Sequence, residues 1–193
     1  MDTTIGLKDL YFSKITPDNA THYEKYGTPI KLAPAIKAAI TPEYEEGELY
    51  ADDILKDMIK HIIGGKIVLD VTEIGSTNLK DLLGAYEDSD GVVMISEEDD
   101  PPEVAVGFRA KKSDDNYCYI WLYRVKFSVP NMSFATKGKG ITFNSPTIEG
   151  TFAPRLRPTD NGKHPVMITA TWPDADSNDW FGAVPVPDTT MPS

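Results

Sequence analysis

The sequence predicts a mainly β fold, a sandwich or barrel with one short flanking helix, and three features support this prediction. The 193 residues include 15 prolines and 14 glycines, so many turns are expected and long helices are not. Alternating apolar and polar residues dominate the second half of the chain, as in half-buried strands. Residues 117–128 form the densest run of aromatic and β-branched residues, which suit a pleated surface.

The run 117–128 is expected to be the central strand. Strand alternation places six residues on one face: Tyr117, Tyr119, Trp121, Tyr123, Val125 and Phe127. We call the first four of these the aromatic stripe. The other face carries Cys118, Ile120 and Leu122. Because both faces are apolar, both must be covered, one by a sandwich core and the other by a flanking helix or a neighbouring subunit. Cys118, the single cysteine, is expected to be a small buried hydrophobe.

The chain is predicted to consist of one β domain, residues 29–172, between two extended arms. The N-terminal arm is residues 1–28, and the C-terminal arm, residues 173–193, is rich in proline and aspartate. The arms and the segment 42–63 carry apolar anchors that these segments cannot bury alone, so we expect the anchors to contact neighbouring subunits. These candidate contacts are Leu10, Tyr11, Phe12, Leu49, Tyr50, Trp180 and Phe181.

Residues 42–63 are expected to form a long loop or hairpin. The first part, 42–53, is acidic and loop-like. The second part, 54–63, also fits an amphipathic helix, because its apolar residues recur at i, i+4, i+5 and i+8. The following Gly64 and Gly65 would end such a helix or turn a hairpin, so helix and strand both stay open for this part.

One helix and several further strands complete the prediction. A helix is predicted over residues 77–84, with Ser76 or Thr77 as its cap and Gly84 as its end. A strand before it, residues 66–74, points three side chains inward, namely Ile67, Leu69 and Val71. The later strands are expected at residues 91–96, 104–109, 143–152 and 165–172. A turn at 113–116 joins the strand 104–109 to the central strand as a hairpin.

Composition and motifs argue against several functions. The net charge of -11 does not suit an outer surface that grips nucleic acid. No apolar run approaches the ~18 residues that a membrane span needs, and the N-terminus lacks the pattern of a signal peptide, so synthesis in the cytoplasm is expected. His22, His61 and His164 are far apart, and no nucleophile elbow, phosphate loop or dinucleotide fingerprint is present. We therefore predict no enzymatic activity, no cofactor and no metal.

Seven sequence blocks occur in an order that is typical of one protein family. They are IGLKDLY (5–11), YGTP (26–29), LYADD (49–53), LLG (82–84), VGFRAKK (106–112), WLYRVKF (121–127) and PTIEGTF (146–152). Through these blocks, and over nearly its whole length, the chain resembles phage major tail proteins. These are the tail-tube subunits of long, non-contractile siphophage tails, and the similarity is greatest to those of phages and prophages of Gram-positive bacteria.

The resemblance implies a tail-tube-type β-sandwich or barrel that works as a homo-oligomer. Six subunits would form a ring, and stacked rings would form a hollow tube through which DNA passes during ejection. A sheet from each subunit would join its neighbours in a closed barrel, which removes exposed sheet edges. The family implies tape-measure, tail terminator and tail tip proteins as partners, and a location in the virion tail after assembly in the host cytoplasm. An acidic wall would let DNA slide without specific binding.

The alternative is a monomeric β-sandwich module that binds a carbohydrate or another surface ligand. In that case the aromatic stripe would be its exposed platform. An aromatic stripe within a strand is more often part of a core, and a binding module has no use for two long arms. The resemblance therefore favours the tail-tube prediction over the binding module.

Overall fold

The computed structural model describes residues 4–17, 23–51, 54–132, 145–173 and 180–187, with the side chains of 48–57 outside the description. The described residues form eleven strands and one short helix, which confirms the mainly β fold class. The strands are β1 (Thr4–Pro17), β2 (Glu24–Tyr26), β3 (Ile30–Ala33), β4 (Ala35–Ala51), β5 (Ile54–Val71), β6 (Tyr86–Glu87), β7 (Val93–Met94), β8 (Val104–Lys112), β9 (Asn116–Phe127), β10 (Thr147–Ala153) and β11 (Met167–Pro173). The helix is α1 (Ser76–Leu83).

One antiparallel sheet contains nine of the strands. Its order is β2-β1-β8-β9-β10-β5-β4, with β3 added to β1 and β11 added to β9. Strand β9 pairs with β8 along one edge and shares its other edge between β11 and β10. This position confirms the prediction that residues 117–128 are the central strand. The two remaining strands, β6 and β7, form a small separate hairpin.

A β-bulge in β9 changes the face on which its side chains lie. Val106 of β8 pairs with Leu122, but Val104 pairs with Val125, so β9 holds one extra residue between these pairs. Val125 and Phe127 therefore belong to a different cluster of buried residues from the aromatic stripe. The prediction that all six residues share one face is wrong beyond the bulge, because a bulge shifts the alternation by one residue.

The larger cluster, here called the main core, draws residues from both ends of the strand order. Its members include Leu10, Phe12, Leu32, Ile67, Leu69, Val71, Leu82, Val106, Phe108, Leu122, Val125, Phe127, Ile148 and Phe152. Since β1 and β8 meet β5 and β10 across this cluster, the sheet curls around it. The inward positions predicted for residues 67, 69 and 71 are confirmed by their full burial.

The described part of residues 1–28 is not an arm. Strand β1 pairs with β8 on one edge and with β2 and β3 on the other, which makes it an internal strand of the sheet. A register shift between Lys8 and Tyr11, at Asp9 with φ 53°, lets the strand bend with the curled sheet. Leu10 and Phe12 thus lie in the main core of their own subunit, with Leu7 at its margin.

Residues 42–63 form a hairpin, which confirms that alternative. Strand β4 runs without a break to Ala51, so the prediction of an acidic loop is wrong for residues 42–51. Strand β5 begins at Ile54, so the helical alternative for 54–63 is wrong as well. Pairing with β4 satisfies the backbone groups along one edge of β5, and its isoleucines suit a strand. Gly64 and Gly65 lie within β5 and do not turn the hairpin.

Helix α1 confirms the predicted helix, although its cap differs. The N-cap residue is Gly75, which provides no side-chain hydrogen bond, so the predicted capping by Ser76 or Thr77 is wrong. The helix ends at Gly84, whose φ of 68° is left-handed, as predicted. Leu82 joins the main core and fixes the helix against the sheet.

A buried ion pair holds β2 to the loop after β10. The Arg155 Nε lies 3.2 Å from the Glu24 Oε1, and each side chain is only 2% exposed. The Glu24 carboxylate also accepts hydrogen bonds from the backbone N–H groups of Leu156 and Arg157. Burial, followed by the charge of Glu24, raises the pKa of the neighbouring Tyr26 hydroxyl. This cluster is a polar contact between segments far apart in sequence.

Candidate functional site

The candidate subunit contacts near the N-terminus lie inside their own subunit. Leu10 and Phe12 have no exposed surface and belong to the main core. They therefore cannot contact a neighbouring subunit in this conformation, and that prediction is wrong for both. Tyr11 points to the opposite face of β1, where its ring stacks on that of Phe181 with 4.8 Å between centroids.

The C-terminal segment 180–187 covers the aromatic stripe. Trp180 is 3% exposed and lies in a second buried cluster with Val184 and the four residues of the stripe. The Trp121 Nε1 donates to the carbonyl oxygen of Trp180 at 3.1 Å, and the Tyr123 hydroxyl donates to that of Pro185 at 2.9 Å. The face of β9 that carries the aromatic stripe is thus covered by residues of the same chain. Trp180 is an internal anchor, which corrects its assignment as a subunit contact. Phe181 is only partly buried in this cluster, so its assignment stays a prediction.

The covered stripe also bears on the alternative function. Tyr119, Trp121 and Tyr123 have no exposed surface, so they do not form an accessible platform for a carbohydrate. A binding surface built on this stripe would require the segment 180–187 to leave it. The structure therefore contradicts the platform on which the binding-module alternative was based.

Two tyrosines of the stripe give opposite predictions for the free energy of unfolding. The Tyr123 hydroxyl bonds to Pro185, whereas the buried Tyr119 hydroxyl has no hydrogen-bond partner among the described residues. Tyr123→Phe should lower the free energy of unfolding by about 0.5–1.5 kcal/mol. Tyr119→Phe should leave it unchanged or raise it, because no hydrogen bond is lost there. Urea denaturation of both variants measures the two effects, and equal destabilisation would contradict the assignment.

The distal part of the β4–β5 hairpin projects beyond the sheet. We call it the ribbon: residues 43–51 of β4 and 54–63 of β5. Strand β10 pairs with β5 only from Gly65 to Asp70, so the ribbon has two strands among the described residues. The candidate contacts Leu49 and Tyr50 lie in its backbone, opposite Asp57 and Leu55, and their side chains are outside the description. These two candidates therefore stay predictions.

The ribbon exposes apolar side chains on both faces. Met58 is 56% exposed, Ile59 is 50% exposed and Tyr44 is 49% exposed. Strand alternation places Met58 and Ile59 on opposite faces. A two-stranded hairpin is at best marginally stable in water, and exposed apolar surface favours burial against a partner. The ribbon is therefore the strongest candidate surface for association.

Polar contacts connect the two strands of the ribbon in their observed register. The Lys60 ammonium pairs with the Glu46 carboxylate on the opposite strand and lies 4.6 Å from the centroid of the Tyr44 ring. The hydrogen bond from Lys60 to Glu46 raises the pKa of the ammonium group. Such exposed contacts are weak, at about 0–1 kcal/mol each. They align the strands, and they leave the apolar residues available for a partner.

Gly65 allows a close approach of β5 to its neighbouring strands at the base of the ribbon. A Cβ atom at this position would meet the Thr41 carbonyl oxygen and the Phe152 ring. Gly65→Ala should therefore lower the free energy of unfolding by about 1–3 kcal/mol. Gly47→Ala is the matched control, because a Cβ atom at Gly47 has nothing within 4 Å. Thermal or urea denaturation compares the two, and a destabilisation of Gly47→Ala as large as that of Gly65→Ala would contradict this role.

The sequence prediction missed the exposed residues of the ribbon, namely Tyr44, Met58, Ile59, Ile62 and Ile63. Their spacing in 54–63 resembled a helical face that packs on a core. One signal was available: Asp52 and Asp53 stand between two long runs that contain several β-branched residues. That pattern is typical of a hairpin with a polar end.

The described residues do not bring together a metal-binding cluster. No group of three or more His, Cys, Asp or Glu side chains in this part of the chain is arranged to hold a metal ion. His61 is exposed on the ribbon, His164 bonds to the Arg155 carbonyl oxygen, and His22 lies outside the described residues. Burial raises the pKa of the Cys118 thiol, which lowers its reactivity near neutral pH.

Comparison of the sequence with protein-family models and with curated proteins finds no match. Within the described ranges, α1 is eight residues long, and no helix is long and apolar enough to cross a membrane.

Proposed function

We propose that this protein is a self-associating structural subunit, and that it forms the tail tube of a siphophage or prophage. In this proposal six subunits form a ring, and stacked rings form the hollow tube through which DNA is ejected. The single observation that carries self-association is the ribbon, with apolar side chains exposed on both faces. The seven sequence blocks support the narrower assignment to a tail tube.

The ribbon needs a partner that this subunit does not provide. Its described side chains are exposed, and β10 no longer accompanies β5 along it. Met58 and Ile59 are already about half buried in the subunit, so their full burial against another copy would stabilise an assembly by about 1.5–3 kcal/mol for the two together. In an assembly each subunit repeats this contact, and its gain adds to that of the other surfaces that meet in the interface.

The free edges of the sheet also suit a ring. Strand β4 stands at one end of the strand order, and among the described residues it pairs only with β5. Strands β2 and β3 stand at the other end, next to β1. Unpaired edges promote pairing between chains, and closure into a ring satisfies them. In the proposed ring, the ends of neighbouring sheets meet in one continuous barrel.

The charge of the subunit is compatible with a conduit for DNA. At -11 per subunit, a ring of this protein is strongly acidic and would repel the phosphate backbone. In this proposal DNA passes without specific binding. The subunit acts by its surfaces and not as an enzyme, in a virion tail that also contains tape-measure, terminator and tip proteins.

Negative-stain electron microscopy of the purified full-length protein tests this function. A concentration series should give rings with six-fold symmetry and a central hole, or hollow tubes. Rings of another symmetry would support self-association and contradict the six-membered tail-tube ring. Solid aggregates or single subunits at every concentration would contradict the tail-tube function.

A further inference from the structure

An apolar groove lies where the curled sheet remains open. It has a volume of about 440 Å³, and its walls come from β1, β4, β8 and β9. The apolar lining includes Leu7, Ile36, Ile40, Phe108 and Ile120. Leu7, Ile40 and Ile120 are only partly buried at the margin of the main core, and Ile36 is 53% exposed. The groove thus extends the main core to the surface and can take further apolar side chains.

The ribbon of the same chain cannot fill this groove. Ala38 lines the groove, while Met58 pairs with Glu48, ten residues further along the continuous strand β4. At about 3.3 Å per residue, ten residues separate these positions by about 33 Å. Since β4 and β5 remain paired over this length, the ribbon leads away from the groove. A ribbon that fills the groove must therefore come from another copy of the chain.

The ribbon and the groove are complementary in polarity and charge. Segment 42–63 contains seven acidic residues and two lysines, and Glu43, Glu45 and Glu46 are exposed on the ribbon. The groove is lined by the exposed Lys37 beside its apolar residues. An apolar ribbon with acidic margins fits an apolar groove with a lysine at its surface, because opposite charges favour the correct partner and register.

We propose that the groove between the start of β4 and the strands β1, β8 and β9 is the acceptor for the ribbon of a second copy of this chain. This inference rests on the proposed function and specifies its contact. Donor and acceptor are different surfaces of one subunit, so the contact is head-to-tail. A head-to-tail contact leaves each bound pair with one free ribbon and one free groove, and it continues into a ring or a filament.

Two variants that each lose one surface test this contact. Lys37→Glu with Ala38→Phe blocks the groove, and Met58→Asp with Ile59→Asp disables the ribbon. Each variant alone should remain monomeric under conditions in which the wild type assembles. Their mixture should form a 1:1 heterodimer that grows no further, because one intact ribbon then meets one intact groove. Light scattering coupled to size-exclusion chromatography measures these masses.

A matched control and a cross-link complete the test. Lys66→Glu makes the same charge change on an exposed lysine that does not line the groove, and it should assemble like the wild type. Cys118, the single native cysteine, pairs with Ala110 of the groove wall. Ile59→Cys should therefore be joined to Cys118 of another copy by a short thiol cross-linker at alkaline pH, where the Cys118 thiolate forms, and Ile59→Cys with Cys118→Ser should not.

The outcomes separate this inference from the proposed function. If the wild type assembles and the groove variant assembles equally well, the groove is not the acceptor, although self-association stands. If the ribbon variant also assembles, the ribbon is not the donor. If the wild type stays monomeric and the thiol cross-link fails, both the proposed function and the groove contact are contradicted.

Discussion

The double substitution Met58→Asp and Ile59→Asp should abolish self-association of the full-length protein. Each of the two side chains is at least half exposed, and they lie on opposite faces of the ribbon. Losing the burial that an interface would add to these half-exposed side chains costs about 1.5–3 kcal/mol for the pair, and desolvating the two new carboxylates costs several kcal/mol more. Since about 1.4 kcal/mol corresponds to tenfold in affinity, we expect the association constant to fall at least about a hundredfold.

Size-exclusion chromatography with light scattering, over a concentration series, measures this effect. Val129→Asp with Met132→Asp is the matched control, because both residues are about equally exposed, at 52% and 53%, and lie outside the ribbon. The control should assemble like the wild type. Both variants should unfold at the same denaturant concentration as the wild-type monomer. Equal loss of assembly in the two double variants would show that the effect is one of added charge and not of the ribbon.

The substitution Glu24→Ala should cause the largest loss of stability of any single change proposed for this chain. It removes one partner of an ion pair in which each side chain is 2% exposed, and it leaves the Arg155 charge in a buried position. The backbone N–H groups of Leu156 and Arg157 lose their acceptor as well. Breaking a buried pair in this way costs about 3–5 kcal/mol.

Urea denaturation measures the free energy of unfolding. The substitution is made in the monomeric Met58→Asp, Ile59→Asp variant, so that association does not contribute. Glu46→Ala is the control, because Glu46 also pairs with a cation but its side chain is 52% exposed. The loss at Glu46 should not exceed about 1 kcal/mol. A Glu24→Ala variant that is no less stable than Glu46→Ala would contradict the role of the buried pair.

Local sequence pattern was sufficient for the central strand and the helix. The run 117–128 has a composition that few structures other than a buried strand accommodate, and its turn at 113–116 is local. The helix 77–84 likewise depends on three leucines and the final Gly84 within one short segment. Neither requires knowledge of a distant partner, and both were predicted correctly.

The described parts of the two chain ends pack within their own subunit, which local sequence pattern does not indicate because their partners are distant. Strand β1 pairs with β8, about 100 residues away, as Lys8 and Arg109 illustrate. Trp180 packs against Tyr119 of the central strand. The sequence of residues 174–179, which precede Trp180, does not indicate that the chain returns to this strand. The apolar anchors were correctly recognised as needing cover. Sequence alone does not distinguish cover within the subunit from cover by a neighbour.

The ribbon was ambiguous for a physical reason. Adjacent apolar pairs, Ile54 with Leu55 and Ile62 with Ile63, give a spacing that suits a helix face as well as a strand covered on both sides. The pairing that decides between them depends on Gly64 and Gly65, where the register shifts and the strand passes over Phe152. The bulge in β9 is equally hidden, because a register is a property of two strands and not of one.

Sedimentation velocity of the full-length wild-type protein over a wide concentration range measures self-association. We expect species larger than the 21.3 kDa monomer, with a share that grows as concentration rises. The Met58→Asp, Ile59→Asp variant should sediment as a monomer throughout. A wild-type protein that sediments as a single 21.3 kDa species at every concentration would contradict self-association through the ribbon.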